Sequence, residues 1–171
     1  SSRRYKDRET ISSFVVFELD ENYQPIRYRE LGTKFINLGL DIVQDEEGFY
    51  YFLANCENMK APYGQRDNFT VVGKLDEAFK LKKTKRIENK STGLNLRLTL
   101  LGKSGLVTFQ RSGDREYGFH LFRLNRNLEL QQIYNVKGKF QNPNNLVVGE
   151  GFDFYVGGGS SKSWLLNLRL H

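Results

Sequence analysis

Cysteine is nearly absent from this sequence. Cys56 stands alone, so no disulfide can form within the chain, and it reads as a small buried or half-buried residue rather than a reactive thiol. Histidine is almost as scarce. With His120 in mid-chain and His171 at the end, no metal-ligand spacing arises and a Ser-His-Asp or Cys-His arrangement has few partners to draw on. The residues therefore call for no metal and no cofactor. No apolar run approaches the length of a membrane span, and the opening SSRRYKDRETIS lacks the apolar centre of a signal peptide. Helical periodicity is weak throughout, and the three prolines leave most of the chain free to extend into strands.

What is present argues for a folded, strand-rich domain. Apolar residues make up 39% of the chain and aromatics 13%, enough to build a core and too much for a disordered segment. The formal charge of +6 suggests an acidic partner, yet the charges are interspersed except at KLKKTKR, Lys80 to Arg86. On a strand, Lys80 and Lys82 face one way and Leu81 and Lys83 the other. That suits a solvated outer strand that uses lysines against edge-to-edge pairing. No aromatics interleave with these lysines, which argues against a nucleic-acid partner.

A phrase recurs along the chain. FELDENYQPI, from Phe17, returns as VGKLDEAFKL from Val72 and LFRLNRNLEL from Leu121, with a shortened echo, LLNLRLH, from Leu165. A tight turn containing glycine precedes each apolar strand FYYFLA, LVTFQ and FDFYVG, at Gly48, Gly105 and Gly151. The intervals Leu19 to Gly48, Leu75 to Gly105 and Leu124 to Gly151 differ by no more than three residues. A unit of four short strands repeating every roughly 45 to 55 residues predicts an all-β chain, a β-propeller-like array of four-stranded antiparallel repeats. A β-trefoil or another antiparallel barrel is the alternative, since its repeats have similar length. The units run 13–31 (partial), 36–87, 93–137 and 142–171 (partial), within a single repeat domain 1–171. Three and a fraction units are too few to close a ring. The array is therefore expected to be partial, completed by another chain segment of a larger parent chain or by an oligomer.

In such an array the innermost strand lines a channel, and the connections between second and third strands open on the face where per-repeat insertions do their work. The connection of the first full unit is stretched to NCENMKAPYGQRDN, Asn55 to Asn68, against QRSGDREYG and GGGSSKS in its siblings. It carries Glu57, Tyr63, Gln65, Arg66 and Asp67; the next unit's carries Arg111, Asp114, Arg115, Glu116 and Tyr117; the third leads into Trp164. Aromatic faces beside planar polar groups suit a sugar ring, with its apolar C–H face and rim of hydroxyls. The turn acids Asp45, Glu46 and Glu47 lie on the opposite face, where a solvated turn role is expected.

Gly39-Leu40-Asp41 followed by Gly48-Phe49-Tyr50-Tyr51 resembles the five-bladed propellers of glycoside hydrolases and mannoside phosphorylases. Asp41 stands at the aspartate of that group's inner-strand segment, with Leu40, Ile42 and Val43 in place of the segment's other members. Tyr155 to Ser161, YVGGGSS, resembles the late segment, with serine where the group has an acid. The resemblance implies a carbohydrate-related fold. Any catalysis would be that of a glycoside hydrolase or phosphorylase, with Asp41 as one of two carboxyl groups and a loop acid as its partner. Two functions follow from the sequence: a carbohydrate-binding or carbohydrate-processing propeller whose loops hold a glycan, and a non-catalytic scaffold whose partner is a protein.

Overall fold

The structure, a computed structural model, describes residues 13–32, 36–57, 68–88, 95–111, 118–138, 140, 143–149, 153–159 and 163–169. It is all-β, with thirteen strands among the described residues and a single 3-10 turn, Gly102–Ser104. The strands form separate antiparallel sheets, and none closes into a barrel. The first sheet is β1 (Phe14–Leu19) with β2 (Pro25–Leu31). The second is β3 (Ile36–Gln44), β4 (Tyr50–Glu57), β5 (Asn68–Leu75) and β6 (Leu81–Glu88), in that order. The third is β7 (Asn95–Leu101), β8 (Gly105–Arg111), β9 (Gly118–Leu124) and β10 (Leu130–Lys137). The fourth is β11 (Pro143–Val148), β12 (Asp153–Gly159) and β13 (Ser163–Arg169). Every pairing joins consecutive strands, so each sheet is a meander.

The recurring Leu-Asp phrase folds into one turn, made three times. Asp20, Asp76 and Asn125 each use a side-chain oxygen to accept the backbone N–H groups two and four residues on, at 2.8 to 3.1 Å. This is the local bonding for which Asp and Asn are favoured in turns. The fourth residue of each turn, Tyr23, Phe79 or Leu128, sits at φ 61°, 59° and 59°. A bulky side chain rarely adopts that left-handed conformation, which costs on the order of 1 to 3 kcal/mol. Burial offsets the cost in two cases: Phe79 and Leu128 are both buried against the preceding sheet.

The glycine turns are less uniform than the sequence implies. Gly48, at φ 84°, completes a turn ahead of Phe49, whereas Gly105 already belongs to β8 and pairs with Leu101. The ladders set Tyr50 against Leu75 and Leu106 against Leu124, so Tyr50 and Leu106 are equivalent, one residue out of step with an alignment on the glycines. Gly105 is required for a different reason: a Cβ there would lie 2.0 Å from the carbonyl oxygen of Leu124. In β4, Tyr51 and Phe52 are buried while Tyr50, like Phe49 just before the strand, is half-buried.

The core is divided among the junctions between consecutive sheets. Phe14, Val16 and Leu31 of the first sheet meet Phe52, Ala54, Leu75 and Phe79 of the second. Tyr51, Leu53 and Val72 of the second meet Leu106, Phe122, Leu124 and Leu128 of the third. Val107, Phe109, Phe119 and Leu121 of the third meet Leu146, Phe154 and Val156 of the fourth. Alternation on the strands does this work, because residues on opposite faces of one sheet serve two different junctions. Each sheet thus has a front face, turned to the preceding sheet, and a back face, turned to the next. Strand β7 neighbours both β3 and β11, and β6 and β10 are outer edges. Most of the lysine run lies on β6; Lys80, just before it, and Lys82 and Lys83 are exposed, and Lys85 is half-buried.

Candidate functional site

The stack has two chemically different ends. At one end lie the turns joining β3 to β4, β7 to β8 and β9 to β10. Asp45, buried in the first of these, accepts Glu47 N–H at 3.0 Å and Phe49 N–H at 2.9 Å through Oδ1. Its Oδ2 accepts the Tyr51 hydroxyl at 3.1 Å and Arg126 Nη1 at 2.9 Å. Arg126 also reaches Glu46 Oε2 at 3.3 Å and the carbonyl oxygen of Gly102. Lys74 Nζ lies 3.8 Å from the centre of the Phe49 ring and donates to the Arg126 carbonyl at 3.5 Å. Burial, followed by the Asp45 carboxylate, raises the Tyr51 hydroxyl to a pKa of about 12. The phenol is thereby kept as a hydrogen-bond donor. This cluster joins the second sheet to the third and fills its own hydrogen bonds, which is structural work.

Because the turns of the second and third sheets meet at that end, the connections at the far ends of the same strands lie on the opposite side of both sheets. There β4 passes to β5 between Glu57 and Asn68, and β8 passes to β9 between Arg111 and Gly118. Arg111 Nε donates to the Pro143 carbonyl at 3.1 Å, which brings the start of β11 to the same end, along with the Gly159–Ser163 junction of β12 and β13. The stems leading to these connections carry buried polar groups among buried apolar ones such as Phe69 and Phe119. The Thr70 hydroxyl donates to Asn55 Oδ1 at 2.8 Å, Thr108 Oγ1 to the Arg97 carbonyl at 2.7 Å, and Gln110 is buried two residues beyond Thr108 on β8. His120 Nδ1 pairs with Asn135 Oδ1 at 2.6 Å on the outer half of the third sheet, a strand residue with a satisfied ring nitrogen.

Of the residues singled out by sequence, Asp41, Glu57 and Arg111 are described. Asp41 lies in β3; its Oδ1 accepts the Ile42 N–H at 3.0 Å and its Oδ2 the Leu98 N–H at 2.9 Å. It therefore ties the inner strand of the second sheet to that of the third. Arg111 ties the third sheet to the fourth, and Glu57 stands half-buried at the end of β4. Tyr63, Gln65, Arg66, Asp67, Asp114, Arg115, Glu116 and Tyr117 lie outside the described residues, as does the side chain of Trp164. The buried Asp45–Arg126 pair corrects the expectation of a solvated turn acid. The sequence differs from its sibling repeats here, since Arg126 occupies the turn position that holds Glu21 and Glu77, but nothing local in that difference names Asp45 as its partner.

A groove of about 590 Å³ runs between the first and second sheets, lined by β1, by Gly39 to Gln44 of β3, and by Tyr50, Phe52 and Phe79. Most of its walls are apolar. Cys56 is buried, and burial pushes its thiol up to a pKa of about 11, so it is not a nucleophile at neutral pH. Among the described residues, no group of three or more His, Cys, Asp or Glu could hold a metal, and no helix is long and apolar enough to cross a membrane. No protein-family model matches the sequence, and no curated protein matches it.

Proposed function

We propose that this chain is a propeller-like array of sheets that binds a carbohydrate through the connections between the second and third strands of successive repeats. The observation that carries the reading is the shared end: the stems at Glu57/Asn68, Arg111/Gly118 and Gly159/Ser163 all lie at the strand ends opposite the ion-paired turns. The propeller-like arrangement is supported by the chain-order stacking of the sheets, the threefold recurrence of the Asx turn and the contact between successive inner strands. The sequence supplies sugar-compatible chemistry to that end: Tyr63, Arg66 and Asp67 in one connection, and Asp114, Arg115 and Tyr117 in the next. Both oxygens of Asp41 accept backbone N–H groups that hold β3 beside β7, so the proposal is for binding rather than for glycosidic cleavage.

The test is a glycan array followed by titration calorimetry with manno- and arabino-oligosaccharides. Saturable binding that is lost on Tyr63→Ala or Tyr117→Ala, with the fold retained, supports the reading. No binding to any glycan, together with co-purification of a protein, overturns it in favour of the scaffold. That second reading draws on one observation: Phe17, Leu19, Ile26 and Tyr28 of the first sheet are exposed together.

A further inference from the structure

We infer that the glycan of the proposed function enters the junction between the second and third sheets at its loop end, that Asn68 hydrogen-bonds it there, and that it is an uncharged saccharide. The inference rests on the reading given above. It starts from strand register. On the second sheet, alternation continues the core residues Tyr51, Leu53 and Val72 outward to Asn55, Thr70 and Asn68, since Leu53 pairs with Val72, Asn55 with Thr70 and Glu57 with Asn68. On the third sheet, Leu106 and Phe122 are followed on the same face by Thr108, Gln110 and His120. The two walls are tied together one step further in: Asp41, paired with Leu53, accepts the N–H of Leu98, which is paired with Thr108.

Both walls depart here from the repeat's own pattern. With Leu75 aligned on Leu124 and Tyr50 on Leu106, Thr70 stands where the third sheet has Phe119, Thr108 where the second has Phe52, and Gln110 where it has Ala54. Those three apolar residues are buried, Phe119 against the fourth sheet and Phe52 and Ala54 against the first. The same positions are thus apolar in the two sibling junctions and polar in this one. Thr70, Thr108 and Gln110 are fully buried, and Asn55 nearly so. Burying polar groups in place of apolar ones costs desolvation that hydrogen bonds only offset, so packing alone does not explain the change. Thr70 bonds Asn55, and Thr108 bonds the Arg97 carbonyl. Asn68 is different. Its Oδ1 is enclosed and accepts no hydrogen bond from any described residue, which leaves an acceptor suited to a hydroxyl or N–H from outside the fold.

The chemistry of the walls names the class of ligand. Amides and hydroxyls both donate and accept, as the hydroxyls of a sugar do. A carboxylate or sulfate on the ligand would need a cation to offset its burial. Among the described residues at this end of the two faces, Lys137, paired with Gly118, is exposed on the outer strand, and Glu57 stands opposite Asn68. A neutral glycan therefore fits and an acidic one does not.

Heteronuclear NMR of the 171-residue chain tests the inference. The side-chain amide signals of Asn55, Asn68 and Gln110 should shift saturably with neutral manno- or arabino-oligosaccharides and stay in place with an oligouronate of the same length. Asn68→Ala removes an acceptor that no described residue uses, so its urea midpoint should match the parent while glycan affinity falls about tenfold, the worth of one hydrogen bond. Unchanged affinity in Asn68→Ala overturns the inference, as does a loss of stability, which would give Asn68 a structural role. Shifts confined to the other junctions overturn it and leave the proposed function standing. Equal or tighter binding of the oligouronate overturns the neutral class. If neither neutral oligosaccharide moves these signals, the inference fails, and the proposed function is then judged by the glycan array alone.

Discussion

Arg126, in the turn between β9 and β10, places its Nη1 2.9 Å from Oδ2 of Asp45, in the turn between β3 and β4 of the preceding sheet. The carboxylate is almost wholly buried and the guanidinium about one-fifth exposed. Two distant stretches of chain are thus joined by a charge-assisted hydrogen bond at the rim of an apolar junction. Removing one partner strands the other, and desolvation rather than lost attraction sets most of the cost.

Arg126→Ala should therefore destabilise the fold by about 2 to 4 kcal/mol, somewhat below the loss of a fully enclosed pair because water reaches the guanidinium site. Adding Asp45→Asn should recover part of the loss, since an asparagine oxygen can still accept the Glu47 and Phe49 N–H groups. Urea denaturation of the single and double variants measures both. Equal stability of Arg126→Ala and the parent would show that the pair is ornamental.

Stability should fall at alkaline pH. Tyr51 and Cys56 have folded-state pKa values raised to about 12 and about 11. Their unfolded values are near 10 and near 9, so the stabilisation is fully present below about pH 9. It is lost as pH climbs, first through the Cys56 interval and then through the Tyr51 interval up to about 12. Thermal unfolding followed from pH 8 to pH 11.5 should show this decline, and Tyr51→Phe should flatten its upper part. An unchanged profile in Tyr51→Phe would count against the buried phenol.

The three Asx turns permit an internal comparison. Leu128→Ala should cost about 2 to 5 kcal/mol, because a fully buried side chain leaves a cavity between the second and third sheets. Tyr23→Ala, at the same turn position but exposed, should change the stability of the isolated protomer by less than about 0.5 kcal/mol. Similar costs at the two positions in dilute protein would contradict the placement of Tyr23 in solvent.

Asp41→Ala removes the acceptor for Leu98 N–H between neighbouring inner strands. The expected loss is about 1.5 to 3 kcal/mol, the range for a hydrogen bond to a charged group. If the residue holds sheets together rather than contacting ligand, Asp41→Asn should retain most of the stability and all of any glycan affinity. A selective loss of affinity in Asp41→Asn, with stability intact, would move Asp41 into the ligand site.

Strand content, the repeat and the lysine-rich outer strand were all legible in the sequence, because each rests on local pattern: alternation, turn chemistry and charge spacing act over a few residues. The turn that follows Leu19, Leu75 and Leu124 needs only its own Asp or Asn to form. What the sequence by itself could not decide is which residues meet across a junction. The single extra residue ahead of Tyr50 shifts the alignment with Leu106, and a one-residue shift on a strand exchanges its two faces. The burial of Asp45 follows from Arg126 arriving from the next repeat, and the tether from Asp41 to Leu98 from β7 lying beside β3. These contacts join residues far apart in the chain, so their energies come into being only once the sheets have stacked. Tertiary structure alone set the roles of Asp41, Asp45 and Arg126, since a carboxylate's work is defined by the donors that surround it.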